Sequence, residues 1–272
     1  NPRMSPPRIA ICLRGKCLDK NIHWETGNEK KTDYLNTLNS IKDNIINCNP
    51  EYKFDIYLHG WIENLSDIEK IQKDFNPYTS KLEKQIDFSP YYKKIKNYQE
   101  ILKSRFSHLH GEGSHSYEDI NFFGYFNNIF SFAYSVSNSL KLVDQSINYD
   151  FIINTRYDIR LLQQIKISNL NRNNTYIDDT GASHSKLFYG DFMHIAIPEK
   201  SLLWINFFDS LHNDIFAKKD YENWCKEIKS TSKTGRLDHG IYSPQMIYAY
   251  FSQKHTAHDN VVKNIRSGLF RY

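Results

Sequence analysis

The segment from Tyr149 to Leu161, YDFIINTRYDIRL, constrains the fold more than any other part of the chain. Phe151 to Ile153 is apolar and partly β-branched, which predicts a strand buried on both faces. Directly after it the chain turns polar and charged, at Asn154, Thr155, Arg156, Asp158 and Arg160. A buried strand that ends in charge is how an α/β protein presents chemistry, because ligands bind beyond the carboxyl ends of the strands. Arg156 and Asp158 are two apart, so extended chain sends both side chains to one face. Arginine keeps its charge and grips phosphate in a planar fork, and aspartate offers a hard oxygen to Mg²⁺ or Mn²⁺. The pair reads either as a site for a metal-bound diphosphate or as an ion pair closing a strand end.

The remaining chain supplies the frame for such a strand. Its 272 residues suffice for one large α/β domain with a substantial core. Arg8 to Leu13 reads as a first strand, central in a parallel sheet, ending at Arg14-Gly15-Lys16. A glycine between cations is either a phosphate-contacting loop or a basic turn. Asp33 to Asn47 carries apolar residues at helical spacing behind Thr32, a predicted N-cap. Phe54 to Trp61 reads as the second strand, which completes a Rossmann-like β–α–β start. His59 lies where that strand meets the cleft, as a ligand contact or a structural histidine. Asn121 to Gln145 is the longest helical stretch. Its polar stripe, Asn127, Asn128, Ser131, Tyr134, Ser135 and Asn138, carries amides and hydroxyls where a solvated face carries Lys and Glu. That inventory suits a nucleoside or sugar held by neutral hydrogen bonds.

Further strands are predicted at Asn174 to Asp179, ending in two carboxylates, and at Gly190 to Ile197, with Asp191 at its start. Helices are predicted from Ser89 to Phe106, Ser201 to Phe216 and Pro244 to Gln253, with a loop holding Asp238 before the last. The segment His108 to His115 reads as a mobile loop or, through its HxH and Glu112, as metal ligands. Asn1 to Pro7 reads as a disordered lead-in, and residues 8–272 as a single domain.

Composition narrows the partners. A net charge of +4, scattered along the chain, fits an anionic small substrate and argues against nucleic acid. The four cysteines have no metal-ligand spacing and no disulfide-framework pattern, which points to a reducing, cytoplasmic setting. No apolar run approaches the roughly 18 residues needed to span a bilayer. Basic residues through 62–105 would allow peripheral contact with an anionic inner membrane face.

Taken in order, Ile9 to Gly15, FDIYLHGW at Phe54 to Trp61, the Asn127/Ser131/Tyr134 helix, YDFIINTRYD at Tyr149 to Asp158, and Gly190 to Ile197 resemble bacterial and large-virus glycosyltransferases of the GT-A type that build capsule, lipopolysaccharide or related surface glycans. The resemblance covers residues 8 to about 250. It implies a GT-A fold, a mostly parallel central sheet flanked by helices, with 8–160 as the nucleotide-sugar-binding half and 161–272 as the acceptor-side half. It also implies a nucleotide-sugar donor, a glycan or lipid-linked saccharide acceptor and a divalent cation, Mn²⁺ or Mg²⁺. Carried over by position, Asp158 is the metal and donor-diphosphate residue, Arg156 its companion, and Arg14 and Gly15 part of the nucleotide pocket, with Asn127, Ser131 and Tyr134 beside the donor. Asp191 is the first candidate for the base that deprotonates the acceptor, and Asp238 the second. Two departures stand out: an arginine occupies the place of the first aspartate of DxD, and Pro244-Gln245 replaces the usual Pro-Glu. The same scaffold also admits transfer of a phosphorylated group to a glycan, or a non-catalytic carbohydrate- or nucleotide-binding module.

Overall fold

The computed structural model describes residues 5–18, 20–22, 29–31, 33–95, 122–179, 190, 192–231, 244–255 and 261–269. Its centre is strand β1 (Arg8–Arg14), with Ile9, Ala10, Ile11, Cys12 and Leu13 all fully buried. Burial on both faces is what the continuous apolar run requires. A short β2 (Lys16–Leu18) follows, then a small antiparallel ribbon of β3 (Lys20–Ile22) and β4 (Glu29–Lys31). Helix α1 (Tyr34–Ile41) leads to β5 (Lys53–Ile62), which lies parallel to β1. The N-cap is Asp33 and not Thr32, because its carboxylate is the oxygen that reaches the Leu35 N–H, at 3.0 Å.

Helix α2 (Ile68–Phe75) and β6 (Thr79–Glu83) come next, β6 pairing parallel with β5. Of the helix expected over 89–106, the described part is helical only at Ser89–Tyr92. Helix α3 (Phe122–Lys141) packs on β1, β5 and β7 (Phe151–Arg156), and β7 is parallel to β1 on the side away from β5. A short strand, β8 (Ile159–Leu161), lies outside the main sheet. Strands β9 (Thr175–Asp178) and β10 (Met193–Ala196) return to it, β10 antiparallel to both β7 and β9. A helical run over 198–215, helix α4 (Asp220–Thr231) and helix α5 (Pro244–His255) follow. The chain closes with β11 (Val261–Ile265), parallel to β9, and β12 (Ser267–Leu269), paired with β8.

The main sheet therefore runs β11-β9-β10-β7-β1-β5-β2, with β6 on β5. It is a mixed, mostly parallel α/β sheet, as the sequence pattern predicts, and it draws strands from both halves of the chain. Two cores flank it. Ala10, Cys12, Tyr57, Ile152, Val136 and Leu140 fill the α3 side with the rings of Trp204, Phe207, Tyr248 and Phe251. Ile9, Ile11, Leu13, Ile153 and Ile195 meet Leu38 and Ile41 of α1 on the other side. Each fully buried aliphatic side chain contributes about 1.5–3 kcal/mol relative to exposure. Ser137 pins the 198–215 run to α3: its hydroxyl accepts from the Phe208 N–H at 2.9 Å and donates to the Trp204 carbonyl at 3.2 Å.

Candidate functional site

The parallel strands β1, β5, β7 and β9 end on one edge of the sheet, and antiparallel β10 begins there. Register brings Arg14 beside Arg156, and Met193 beside Thr155. Five segments thus meet at the carboxyl edge: Arg14-Gly15-Lys16, Gly60-Trp61, Asn154 to Asp158, Asp178, and Phe192 leading into β10.

Arg14 is only 3% exposed. Its Nε donates to Asn154 Oδ1 at 2.7 Å, and its guanidinium lies 5.0 Å from the Phe132 ring centre. Asn154 in turn donates from Nδ2 to Ser139 Oγ on α3, at 2.7 Å. Arg14 is therefore a buried charge behind the edge, locked to β7 and α3. Gly15 has φ +99° and an open space where a side chain would sit. Its carbonyl accepts the Trp61 N–H at 2.9 Å, which lets β2 resume pairing with β5 beyond the turn. Backbone in that region favours glycine, and the open side lets a ligand approach.

Strand β7 stops at Arg156, so Asp158 lies in a turn beyond it and not in extended chain as expected. Buried Tyr157 and the Thr37 hydroxyl, 2.6 and 3.0 Å from the Tyr157 and Ile159 carbonyls, hold that turn. The two side chains converge all the same. Arg156 Nε donates to Asp158 Oδ1 and Nη2 to Oδ2, both at 2.7 Å, a bidentate fork. Arg156 is 27% and Asp158 15% exposed, and the guanidinium also lies 5.1 Å from the Phe192 ring centre.

A divalent cation on Asp158 does not fit this arrangement. Both carboxylate oxygens already accept from a permanently charged guanidinium, and a cation would have to open the fork and then sit against that charge. Among the described residues, no three His, Cys, Asp or Glu side chains converge into a metal-binding group.

Along the polar stripe of α3, Ser135 is buried, Asn128 is exposed and the other four are half-buried. Ser131 Oγ accepts from the Trp61 indole at 2.8 Å. The Tyr134 ring stacks on Trp61 with centres 5.4 Å apart, and its hydroxyl accepts from Lys81 at 3.3 Å. Ser135 and Asn138 donate to carbonyls of their own helix. Asn127 Oδ1 is buried without a hydrogen-bond partner among the described residues. Asp191 and Asp238 lie outside the described residues, as does the segment 108–115.

Three residues of this region were not singled out from the sequence. Asp178 is fully buried at the end of β9, where its Oδ1 accepts the Phe192 and Met193 N–H groups at 2.9 and 3.0 Å. A Cβ on Gly190 would lie 2.1 Å from Asp178 Oδ2, so glycine alone fits there. Asp178 thereby shapes the chain on either side of Asp191. His194 is buried on β10 with Nδ1 2.6 Å from the Tyr248 hydroxyl. Burial, reinforced by the charge of Arg14, pushes its pKa down to about 3. Asn154 is the third, and its signal was present: period two from Arg156 puts it on the same face, toward α3. At β5, buried His59 is likewise neutral, its pKa pushed to about 4 by burial against the opposing pull of Glu83. Its Nε2–H donates to Glu83 Oε1 at 3.2 Å.

No protein-family model and no curated protein matches the chain. Solved structures give a loose likeness. Mouse xyloside xylosyltransferase 1 in its apo form has a TM-score of 0.36 at 6% identity, over 95% of this chain and 84% of that one. Galactosyltransferase LgtC, solved with donor and acceptor sugar analogs, gives 0.37 at 8%, over 97% and 86%. A cysteine-to-serine mutant described only as a transferase gives 0.35 at 13%, over 94% and 92%. Likeness at this level assigns no residue and no activity. No described helix is long and apolar enough to cross a membrane.

Proposed function

We propose that this protein is a glycosyltransferase that moves a sugar from a nucleotide-sugar donor to a glycan acceptor. The observation that carries the reading is the meeting, at the carboxyl edge of a mostly parallel sheet, of the Arg14–Gly15 turn, the Arg156–Asp158 fork and the start of β10. The order of motifs that resembles GT-A enzymes supports it independently. The acceptor hydroxyl attacks the anomeric carbon, the bond to the donor phosphate breaks, and its electron pair leaves with the nucleoside diphosphate. Arg156 faces the charge that develops on that diphosphate, and the buried charge of Arg14 adds to the positive field there. In an inverting reaction the hydroxyl proton passes to a carboxylate. Asp191 is the first candidate for that carboxylate, from its place in the resemblance; Asp238 is the second. The proposed setting is surface-polysaccharide synthesis, with a glycan or lipid-linked saccharide as acceptor.

The test is incubation with UDP-, GDP-, CDP-, ADP- and dTDP-sugars and simple saccharide acceptors, read by mass spectrometry. Release of a nucleoside diphosphate with acceptor gaining one sugar residue is the expected result. Gain of a phosphorylated unit would identify phosphoglycosyl transfer, and binding without turnover would identify a binding module.

A further inference from the structure

The Arg156–Asp158 fork has a consequence for how charge on the donor is handled, and the consequence rests on the function proposed above. In the resemblance, a divalent cation on Asp158 neutralises the diphosphate. Here both oxygens of Asp158 accept from Arg156 at 2.7 Å, and the guanidinium is further fixed against the Phe192 ring at the start of β10. Contacts from two separate segments hold its plane. One comes from the turn after β7 and the other from the chain entering β10. The fork uses Nε and Nη2, one edge of the guanidinium, and the residue is 27% exposed at the carboxyl edge.

We infer that the donor diphosphate is bound without a divalent cation, by the guanidinium of Arg156 in the place a metal ion would take, with Asp158 as its positioning residue. A guanidinium suits this role, since it cannot lose its charge and its planar donors match phosphate oxygens. Arg14 stands in register beside it on β1, buried behind the edge, so its charge adds to the positive field there without touching the ligand. Within this scheme Asp158 orients a cation by hydrogen bonds and ligates no metal.

The experiment is calorimetric titration of the full chain with UDP, GDP, CDP, ADP and dTDP, once in EDTA and once in Mn²⁺. The expected result is one preferred nucleotide whose affinity in EDTA is within about threefold of that in Mn²⁺. Arg156→Gln weakens that nucleotide at least about tenfold in both buffers, a difference of about 1.4 kcal/mol. Binding of the matching nucleoside, which has no phosphate, does not change. Arg156→Lys, which keeps the charge without the fork, recovers part of the loss. Asp158→Asn weakens binding by the same factor in both buffers. Binding seen only with Mn²⁺, or an Asp158→Asn defect confined to the Mn²⁺ buffer, overturns the inference and leaves the proposed function standing. Absence of binding by every nucleotide in both buffers overturns the two together.

Discussion

Gly190→Ala isolates the close approach of Gly190 to Asp178. An added Cβ would lie 2.1 Å from Asp178 Oδ2, 2.4 Å from its Cγ and 2.5 Å from its carbonyl oxygen. Real contacts of this kind are more than an ångström longer, so something must move. If the Asp178 side chain turns away, its two bonds to the Phe192 and Met193 N–H groups are lost. Hydrogen bonds to a charged acceptor contribute about 1.5–3 kcal/mol each, and the carboxylate is fully buried. Moving the backbone instead disturbs the pairing of β9 with both β10 and β11. Either route costs about 3 kcal/mol or more. Urea unfolding measures it directly, and a thermal scan should fall by roughly 6–12 °C. The cause is steric and local, so it must couple to Asp178. In an Asp178→Ser background the carboxylate is gone and only the carbonyl contact persists, so the double variant should cost at least about 1 kcal/mol less than the sum of the singles. A Gly190→Ala protein within about 0.5 kcal/mol of the parent, or strictly additive variants, would refute the reasoning.

Other expectations follow from the same geometry. The unfolded chain protonates its histidines near pH 6.5, whereas the folded protein protonates His59 only near pH 4 and His194 only near pH 3. Stability is therefore full above pH 6.5 and falls with acid by about 1.4 kcal/mol per pH unit per histidine. The two together remove about 4 kcal/mol by pH 5, read by urea unfolding at pH 7 and pH 5, and a flat profile would contradict the burial argument. Tyr149→Phe removes the hydroxyl that donates to Asp55 at 3.0 Å and lies 2.7 Å from the Tyr57 hydroxyl, at a cost of about 1–3 kcal/mol with no change in nucleotide affinity, since that network sits at the opposite edge of the sheet. Gly15→Ala meets no atom within 4 Å but must adopt φ +99°, so it should lose about 1–2 kcal/mol by urea unfolding.

The frame of this protein was legible where burial is two-sided. Ile9 to Leu13 and Phe151 to Ile153 are apolar without alternation, which suits a central strand buried on both faces. The fork between Arg156 and Asp158 was legible as two chemistries at one strand end, but their mutual grip was not, because it depends on a turn held by Thr37 from another element. The contacts of the α3 stripe were hidden for a related reason. Its hydroxyls and amides resemble ligand contacts, yet the Ser131 partner is an indole 70 positions away on β5. Asp178 was visible only as a carboxylate at a strand end. Its role requires Gly190, Phe192 and Met193 to return beside it, which no local pattern records. The last strand of the main sheet, β11, escaped notice because it is short and lies in a polar, weakly periodic stretch.

The central claim is that the carboxyl edge around Arg156 is the donor site, and hydrogen exchange with mass spectrometry tests it most directly. With the best-binding nucleoside diphosphate present, the amides of residues 14–18, 154–161 and 192–194 should slow together, while those of the β11 and β12 strands stay unchanged. Protection confined to other segments, or none under saturating nucleotide, would contradict the account.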